Sequence, residues 1–151
     1  MTDTTVSPVE ITDEIARTWI DIALTEAHAG ADEGGQPIGS VLIGPDGEVL
    51  GLGRNRFVQH GDVSAHAETE AFSDAAHRES YAGTTMVTTA EPCWYCSGLI
   101  RQFGISRVVI GASSETGGAA WLEELGHEVH RIDDPTSMAY LEGLRAGWKK
   151  P

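Results

Sequence analysis

Cysteine is scarce in this sequence: the chain has two, Cys93 and Cys96, separated by two residues. A zinc site built from four cysteines is therefore excluded. A Cys2His2 site would need two suitably spaced histidines, and His127 and His130 form a candidate pair downstream. Their spacing is shorter than usual and lies across a predicted strand, which disfavours this alternative. A thioredoxin-like C-x-x-C redox pair is a second alternative.

Basic residues are also few. Ten lysines and arginines stand against 23 acidic residues, and the net charge is −13. A protein that binds a nucleic-acid backbone needs clustered Lys and Arg to displace counterions. No basic stripe is visible in this sequence. The charge therefore predicts a small uncharged ligand and no nucleic-acid partner.

Long apolar runs are missing as well. No stretch approaches the ~20 apolar residues that a membrane-spanning helix requires. The first ten residues are polar and acidic, unlike the basic and apolar start of a signal peptide. We therefore expect no membrane partner and a cytoplasmic location. The length predicts one domain over residues 1–151. Within it, residues 1–6 are expected to be disordered.

The pattern of apolar residues and turn signals predicts the order α-β-β-α-β-α-β-α-β-α. This order predicts an α/β fold in which helices cover both faces of a five-stranded mixed sheet. Gly51 and Gly53 thin the interior of the second strand, which indicates a bulge or the close approach of another group.

Capping residues and glycines predict the boundaries of two helices. The first helix is expected to begin at residues 7–10 or at Thr12 and to run to about His28, with Gly30 and then Gly34-Gly35 as the residues that end it. A second helix is expected from about residue 65 to residue 78, with Ser64 as its N-cap. His66 and Glu68 then lie in the first turn of that helix.

The run His66-Ala67-Glu68 and the two cysteines together have the composition of a catalytic zinc site. Catalytic zinc keeps three protein ligands and an open position for water. The pattern H-x-E…P-C-x-x-C is typical of zinc-dependent nucleobase deaminases. Pro92 and the preceding strand place Cys93 at a helix N-terminus, which favours thiolates. Cys96 returns to nearly the same side of that turn, so both sulfurs can reach one ion.

Glu68 is the candidate general acid and base. Hydrolytic deamination needs hydroxide at neutral pH and protons for a ring nitrogen and the departing amine. Zinc lowers the pKa of bound water towards ~7, and a carboxylate that is not a ligand can accept and pass on its proton. A carboxylate in the first turn of a helix often has only a capping role. The combination with His66 and the cysteine pair favours catalysis, and a redox pair would leave His66 and Glu68 unexplained.

Asn55 has two interpretations that the sequence alone leaves equal. It ends the second strand, before a predicted loop over residues 56–62, and asparagine often fills such turn positions. Its amide could instead form paired hydrogen bonds with the edge of an amide-like ring.

The chain from the first helix to Trp148 resembles the fungal-type cytosine deaminases of the cytidine deaminase superfamily. The zinc motif, formed by His66-Ala67-Glu68 and residues 88–98, identifies the superfamily. The flanking segments are similar to the branch that acts on free bases, although guanine deaminases and tRNA adenosine deaminases share several of them. These segments are residues 33–39, Gly53-Arg54-Asn55, residues 126–129 and Asp133-Asp134.

The resemblance implies a three-layer α/β/α fold, a homodimer and one Zn2+ ion per chain. It also implies a role for each matching residue. Zinc would be held by His66, Cys93 and Cys96, with Glu68 as the proton shuttle. Asn55 would read the base, with a further contact from the backbone of Ala67. Ile38 and Trp148 match positions in the pocket wall and the C-terminal lid.

Two departures from the fungal pattern concern the substrate. The fungal enzymes close an aromatic side chain over the base from the loop after the fourth strand, whereas residues 112–118 are shorter and contain no aromatic residue. The fungal chain also ends with an acid that holds the exocyclic amine, and Pro151 stands at about that position here. We therefore expect a more open lid and a less specific grip on the amine.

The sequence thus predicts zinc-dependent hydrolytic deamination of a small free nucleobase or related amino-heterocycle of the cytosine type. The alternative within the enzyme class is a deaminase of guanine or another purine-type base. The alternative outside it is a zinc-stabilised binding protein without turnover. Glu68 argues against that alternative, because a structural zinc needs no free carboxylate beside it. Editing of tRNA or DNA is disfavoured by the charge.

Overall fold

A computed structural model describes residues 7–115 and 117–147. Residues 1–6, expected to be disordered, and Trp148, expected in the lid, lie outside the described residues. In chain order the elements are α1 (Asp13–Asp32), β1 (Gly39–Ile43), β2 (Val49–Arg54), α2 (Phe57–His60), α3 (Ala67–Asp74), β3 (Thr85–Ala90), α4 (Trp94–Phe103), β4 (Arg107–Ala112), α5 (Ala119–Glu124), β5 (Glu128–Arg131) and α6 (Pro135–Gly147). None of these helices has the length and apolarity to cross a bilayer.

The five strands form one mixed sheet in the order β2-β1-β3-β4-β5. Strand β1 is antiparallel to both β2 and β3. Strands β3, β4 and β5 are parallel, so the segments that follow β3 and β4 leave the sheet at the same edge. The predicted five-stranded mixed sheet is confirmed, and Cys93 and Cys96 follow β3 at this edge.

Helices cover both faces of the sheet, as the α/β/α prediction requires. On one face, α1 packs over alternate strand residues such as Val41 and Val87, with Tyr140 of α6 against the same cluster. On the other face, α3, α4 and α5 cover the intervening residues, including Leu42 and Met86. Residues of β1, β3 and β4 are buried almost throughout because both faces are covered.

Helix α1 begins at the second of the two predicted starts. The Thr12 hydroxyl accepts a hydrogen bond from the N–H of Ile15 at 3.2 Å and caps the helix. The prediction that Gly30 ends the helix is wrong: Gly30 is buried inside α1, which continues to Asp32. The chain turns at Gly34, whose φ of 81° is left-handed.

The predicted boundaries of α3 are also wrong. The hydroxyl of Ser64 donates to Asp62 Oδ1 at 2.6 Å, so Ser64 belongs to a turn and does not cap the helix. His66 is the N-cap residue, and its N–H donates to Thr69 Oγ1 at 3.1 Å. The helix ends at Asp74, with Ala75 in an extended conformation. His66 therefore precedes the first turn, whereas Glu68 lies within it.

The glycines of β2 permit the close approach that the sequence predicted. A Cβ atom built on Gly51 would lie 2.3 Å from the carbonyl oxygen of Ala71. One built on Gly53 would lie 2.3 Å from the backbone nitrogen of the same residue. No side chain fits in this space, so α3 packs directly on the backbone of β2. This packing brings the first turn of α3 next to the end of β2.

Candidate metal and substrate site

Three side chains from two helix N-termini form a candidate metal site. His66 is the N-cap of α3 and Cys93 is the N-cap of α4, with Cys96 in the first turn of α4. His66 Nδ1 lies 3.6 Å from Cys93 Sγ and 3.4 Å from Cys96 Sγ. The three ligand atoms lie within 4.8 Å of one another, and they are the only such cluster among the described residues.

These distances fit a zinc ion. With Zn–S of about 2.3 Å and Zn–N of about 2.0–2.1 Å, a tetrahedral ion separates a sulfur from a nitrogen ligand by roughly 3.6 Å. The two observed N···S distances, 3.6 and 3.4 Å, agree with this value. Two thiolates and an imidazole also form the kind of donor set that zinc accepts in catalytic sites. A tetrahedral ion held by these residues keeps one coordination position for a further ligand.

The electrostatics of the cluster favour a cation. Hydrogen bonding to Cys96, and then to His66, lowers the pKa of Cys93 to about 4. The start of α4 stabilises a thiolate at Cys93 as well, because the helix dipole is positive there. The hydrogen bond to Cys93, and then burial, raises the pKa of Cys96, because the Cys96 thiol keeps its proton and shares it with the neighbouring Cys93 sulfur. A cation bound between the two sulfurs would take the place of this proton.

The competing histidine pair makes other contacts. His127 Nδ1 lies 2.9 Å from the carbonyl oxygen of Ile105. His130 Nε2 lies 2.7 Å from Glu128 Oε1. Neither residue joins the cysteines in the metal-ligand cluster found within residues 7–115 and 117–147. The structure therefore does not support the Cys2His2 alternative.

Glu68 is buried beside the metal cluster, with only 4% of its surface exposed. The hydroxyl of Thr88 in β3 donates a hydrogen bond to Glu68 Oε1 at 2.6 Å. This contact helps to orient the carboxylate beside the metal cluster. Sequence reasoning missed Thr88 as a site residue. The available signal was its place in the strand that leads into the cysteine motif.

Asn55 makes the contact that its turn role predicts, and its side chain also lines a cavity. It follows β2 and is 6% exposed. Its Oδ1 accepts a hydrogen bond from the N–H of Phe57 at 3.0 Å, and its own N–H donates to the carbonyl of Ile38 at 3.0 Å. Because a backbone N–H can only donate, the atom facing it is the amide oxygen. The Asn55 amide nitrogen is then the group with which this side chain can bind a ligand.

A cavity of about 470 Å³ lies against the metal cluster. It brings together the described candidates Ile38, Asn55, Ala67 and Glu68 with two of the metal-ligating residues. Sequence reasoning missed the other lining residues, which come from separate parts of the chain. They are Gln36, Phe57, Val63, Ala90, Glu91, Ser114 and Leu141.

Phe57 gives the cavity an aromatic wall. The sequence predicted a loop over residues 56–62, and this is wrong because the short helix α2 begins at Phe57. The chain can turn there because Asn55 accepts the Phe57 N–H. The absence of an aromatic residue from residues 112–118 therefore does not leave the cavity without one. The position of Phe57, two residues after Asn55, was the only signal in the sequence.

The chain matches a known family and several characterised proteins. The family described as the cytidine and deoxycytidylate deaminase zinc-binding region matches residues 13–112. A cytosine deaminase of Candida albicans is 36% identical over 118 residues, which cover 76% of this chain and 79% of that protein. A tRNA-specific adenosine deaminase of Streptococcus pyogenes is 38% identical over 101 residues, which cover 65% of this chain and 63% of that protein.

The fold has solved counterparts as well. A structure of guanine deaminase from Nitrosomonas europaea has a TM-score of 0.68 and 23% sequence identity, and the match covers 95% of this chain and 90% of that one. At this identity the likeness establishes the fold. The α/β/α architecture and the zinc-binding character predicted from the sequence are thereby confirmed.

Proposed function

The chain belongs to the cytidine and deoxycytidylate deaminase zinc-binding family and is a zinc-dependent deaminase, and within this family we propose that it releases ammonia from a small free nucleobase of the cytosine type. The observation that carries the proposal is the placement of Glu68 and Asn55 around one cavity beside the three metal-binding residues. In this proposal His66, Cys93 and Cys96 are the zinc ligands.

Zinc held by these three residues would lower the pKa of water towards ~7 and so supply hydroxide at neutral pH. Glu68 is the residue that moves protons. Its carboxylate accepts the first proton of the attacking water and delivers it to the ring nitrogen. It then accepts the second proton, from the hydroxyl that has added to the ring, and delivers it to the departing amine, which leaves as ammonia while the ring carbon becomes a carbonyl. The hydrogen bond from Thr88 occupies Oε1, so the carboxylate is held in one orientation for these transfers.

Asn55 and Ala67 select the ring edge. The amide nitrogen of Asn55 donates to an acceptor on the ring, such as the carbonyl oxygen of cytosine. Ala67 is the first residue of α3, where backbone N–H groups have no acceptor within the helix. That N–H supports the further backbone contact proposed for Ala67. A ring with a carbonyl near its amine satisfies donors of this kind.

The cavity walls favour a flat uncharged ring. Apolar surface is provided by Ile38, Phe57, Val63 and Leu141, which supports the wall role proposed for Ile38. The net charge of −13 argues against a polynucleotide or a phosphorylated substrate. A lid role for Trp148, a homodimer and a cytoplasmic location remain predictions.

A guanine or other purine-type base is the second candidate. A volume of about 470 Å³ lies within the ~300–1,000 Å³ typical of small-molecule sites, so a bicyclic ring fits as well as a monocyclic one. Guanine also carries a ring carbonyl for Asn55. The guanine deaminase with the same fold supports this candidate only at the level of architecture.

Ammonia release from a panel of substrates tests the proposal. Zinc-loaded protein is assayed with cytosine, 5-methylcytosine, isocytosine, guanine, cytidine, adenosine and a single-stranded oligonucleotide, each at the same concentration. We expect the highest kcat/KM for a free base, with cytosine as a substrate. A higher value for cytidine, adenosine or the oligonucleotide would contradict the free-base assignment. A higher value for guanine than for the pyrimidines would select the second candidate.

A further inference from the structure

Glu91 is a buried carboxylate that the proposed reaction does not use. It stands two residues before Cys93, and its side chain is 5% exposed. It lines the substrate cavity and also an adjacent polar cavity of about 410 Å³, to which Arg131 and Arg145 contribute. Burying a charged group is costly unless it is paired or hydrogen-bonded. The contacts of this carboxylate therefore indicate what it does.

The Glu91 carboxylate is enclosed by the segment that follows β4. Its Oε1 accepts a hydrogen bond from the N–H of Ser114 at 3.3 Å. Arg131 Nε lies 4.0 Å from the same oxygen and adds a favourable charge. A Cβ atom built on Gly117 would lie only 1.8 Å from Oε2, so the backbone there packs directly on the carboxylate. No other residue fits at position 117 without displacing Glu91.

Backbone hydrogen bonds fasten both ends of the same segment to the residues around Glu91. The N–H of Glu91 donates to the carbonyl of Ala112 at 2.9 Å. The N–H of Gly118 donates to the carbonyl of Pro92 at 2.8 Å. The Glu91 side chain therefore fills the space between two fixed points. It supports the part of the segment that contains Ser114.

Ser114 extends these contacts to the last helix. Its Oγ accepts a hydrogen bond from Arg145 Nη2 of α6 at 3.0 Å. Ser114 and Leu141, also of α6, both line the substrate cavity. A continuous set of contacts therefore runs from Glu91 through Ser114 to Arg145. These contacts connect Glu91 to Ser114 and to α6, the helix that contributes Leu141 to the cavity wall.

We propose that Glu91 is a positioning residue for substrate binding: its carboxylate holds Ser114 and Gly117 of the segment after β4, and through Arg145 the helix α6, so that Ser114 and Leu141 keep their places in the cavity wall. The proposal rests on the proposed function for the identity of the cavity. Glu91 acts through these neighbours and performs no proton transfer. Its loss should therefore weaken substrate binding more than it slows the chemical step.

Three variants test the proposal in zinc-loaded protein. Glu91→Ala removes the acceptor and the charge, whereas Glu91→Gln keeps an acceptor for the Ser114 N–H. Arg145→Ala removes the hydrogen bond from α6 to the Ser114 hydroxyl. Because Arg145 is exposed, this variant should fold, and it tests the proposal even if Glu91→Ala does not fold. Glu14→Ala, on the exposed side of α1, is the matched control.

Hydrogen exchange and steady-state kinetics are the two measurements. We expect Glu91→Ala to exchange faster in residues 112–118 and 135–147, to raise KM for the best free base about tenfold, and to change kcat less. Zinc content should stay at one per chain. Arg145→Ala should show a smaller effect of the same kind, and Glu91→Gln should restore most of the wild-type KM. Unchanged exchange, or an unchanged KM, in Glu91→Ala and Arg145→Ala would overturn the proposal.

The two proposals fail in different ways. If the wild-type protein releases ammonia from no free base, the proposed substrate class is wrong. Hydrogen exchange then still decides whether Glu91 holds the backbone at Ser114 and Gly117 and the helix α6, because it needs no substrate. If the wild-type protein is active and the variants match it in both measurements, only the role of Glu91 is wrong.

Discussion

The hydroxyl of Thr88 lies 2.6 Å from Oε1 of Glu68 and joins the strand before the cysteine motif to the first turn of the helix after His66. Both residues are buried, so water does not compete for this hydrogen bond. The proposed general acid and base is thus oriented by the same strand that leads to two of the three candidate metal ligands. Loss of this hydrogen bond should therefore lower kcat more than it changes substrate binding.

Replacing Thr88 by valine tests this orientation. Valine keeps the shape and removes the hydroxyl, so Glu68 loses this hydrogen bond and is held less firmly in its orientation. We expect kcat to fall about tenfold or more with one zinc per chain retained, because small errors in placement are costly in catalysis. Thr88→Ser, which keeps the hydroxyl, should recover most of the rate. A valine variant with wild-type kcat would show that the hydrogen bond is structural only.

Replacing either cysteine by serine tests the metal assignment. Cys93→Ser and Cys96→Ser each remove one thiolate from a set of three ligands, so bound zinc should fall well below one per chain. The thermal midpoint should fall as well, because metal binding stabilises the folded chain. Metal analysis and thermal unfolding measure the two effects. Full zinc occupancy in both variants would contradict the ligand set.

Removing the metal from the wild-type protein provides the matched control. A chelator should lower its thermal midpoint and abolish ammonia release, and added zinc should restore both. The same treatment should change the thermal midpoint of the serine variants little, because they hold little metal to lose.

Two substitutions separate the turn role of Asn55 from its proposed contact with the ring. Asn55→Asp keeps an oxygen for the N–H of Phe57 and replaces the amide donor by an acceptor. Asn55→Ala removes both. We expect each variant to lower kcat/KM at least about a hundredfold with zinc retained. The ring carbonyl then has no donor at position 55, and a polar group without a hydrogen-bond partner in a binding site greatly weakens transition-state binding. If Asn55→Asp is fully active, Asn55 is a turn residue only.

Sequence reasoning predicted the sheet because its signals are local. The central strands are short runs rich in β-branched residues, and glycine marks the positions in β2 where α3 lies against the backbone. The candidate metal ligands could be predicted for a similar reason. The chemistry of zinc requires particular residue types at short spacings, and the chain has only two cysteines.

The missed features depend on contacts between distant segments. Serine is a common N-cap residue, but the Ser64 hydroxyl donates its hydrogen bond to Asp62 and the helix starts later. Gly30 lies within α1, and a Cβ atom there would lie 3.0 Å from the carbonyl oxygen of Gln36, so this glycine serves close packing. Phe57, Glu91 and Leu141 reach the cavity only through the packing of α2, the zinc motif and α6. The spacing of these residues along the chain does not indicate that they meet at one cavity.

The most direct test of the account compares ammonia release by the wild-type protein and Glu68→Gln, each confirmed to hold one zinc per chain, on the best free base. Glutamine has the size of glutamate and cannot accept or deliver the proton. The account predicts that Glu68→Gln binds zinc and folds like the wild-type protein while kcat falls by at least ~10²–10⁴-fold. A variant that keeps more than about a tenth of the wild-type rate, a loss smaller than proton transfer normally contributes, would contradict it.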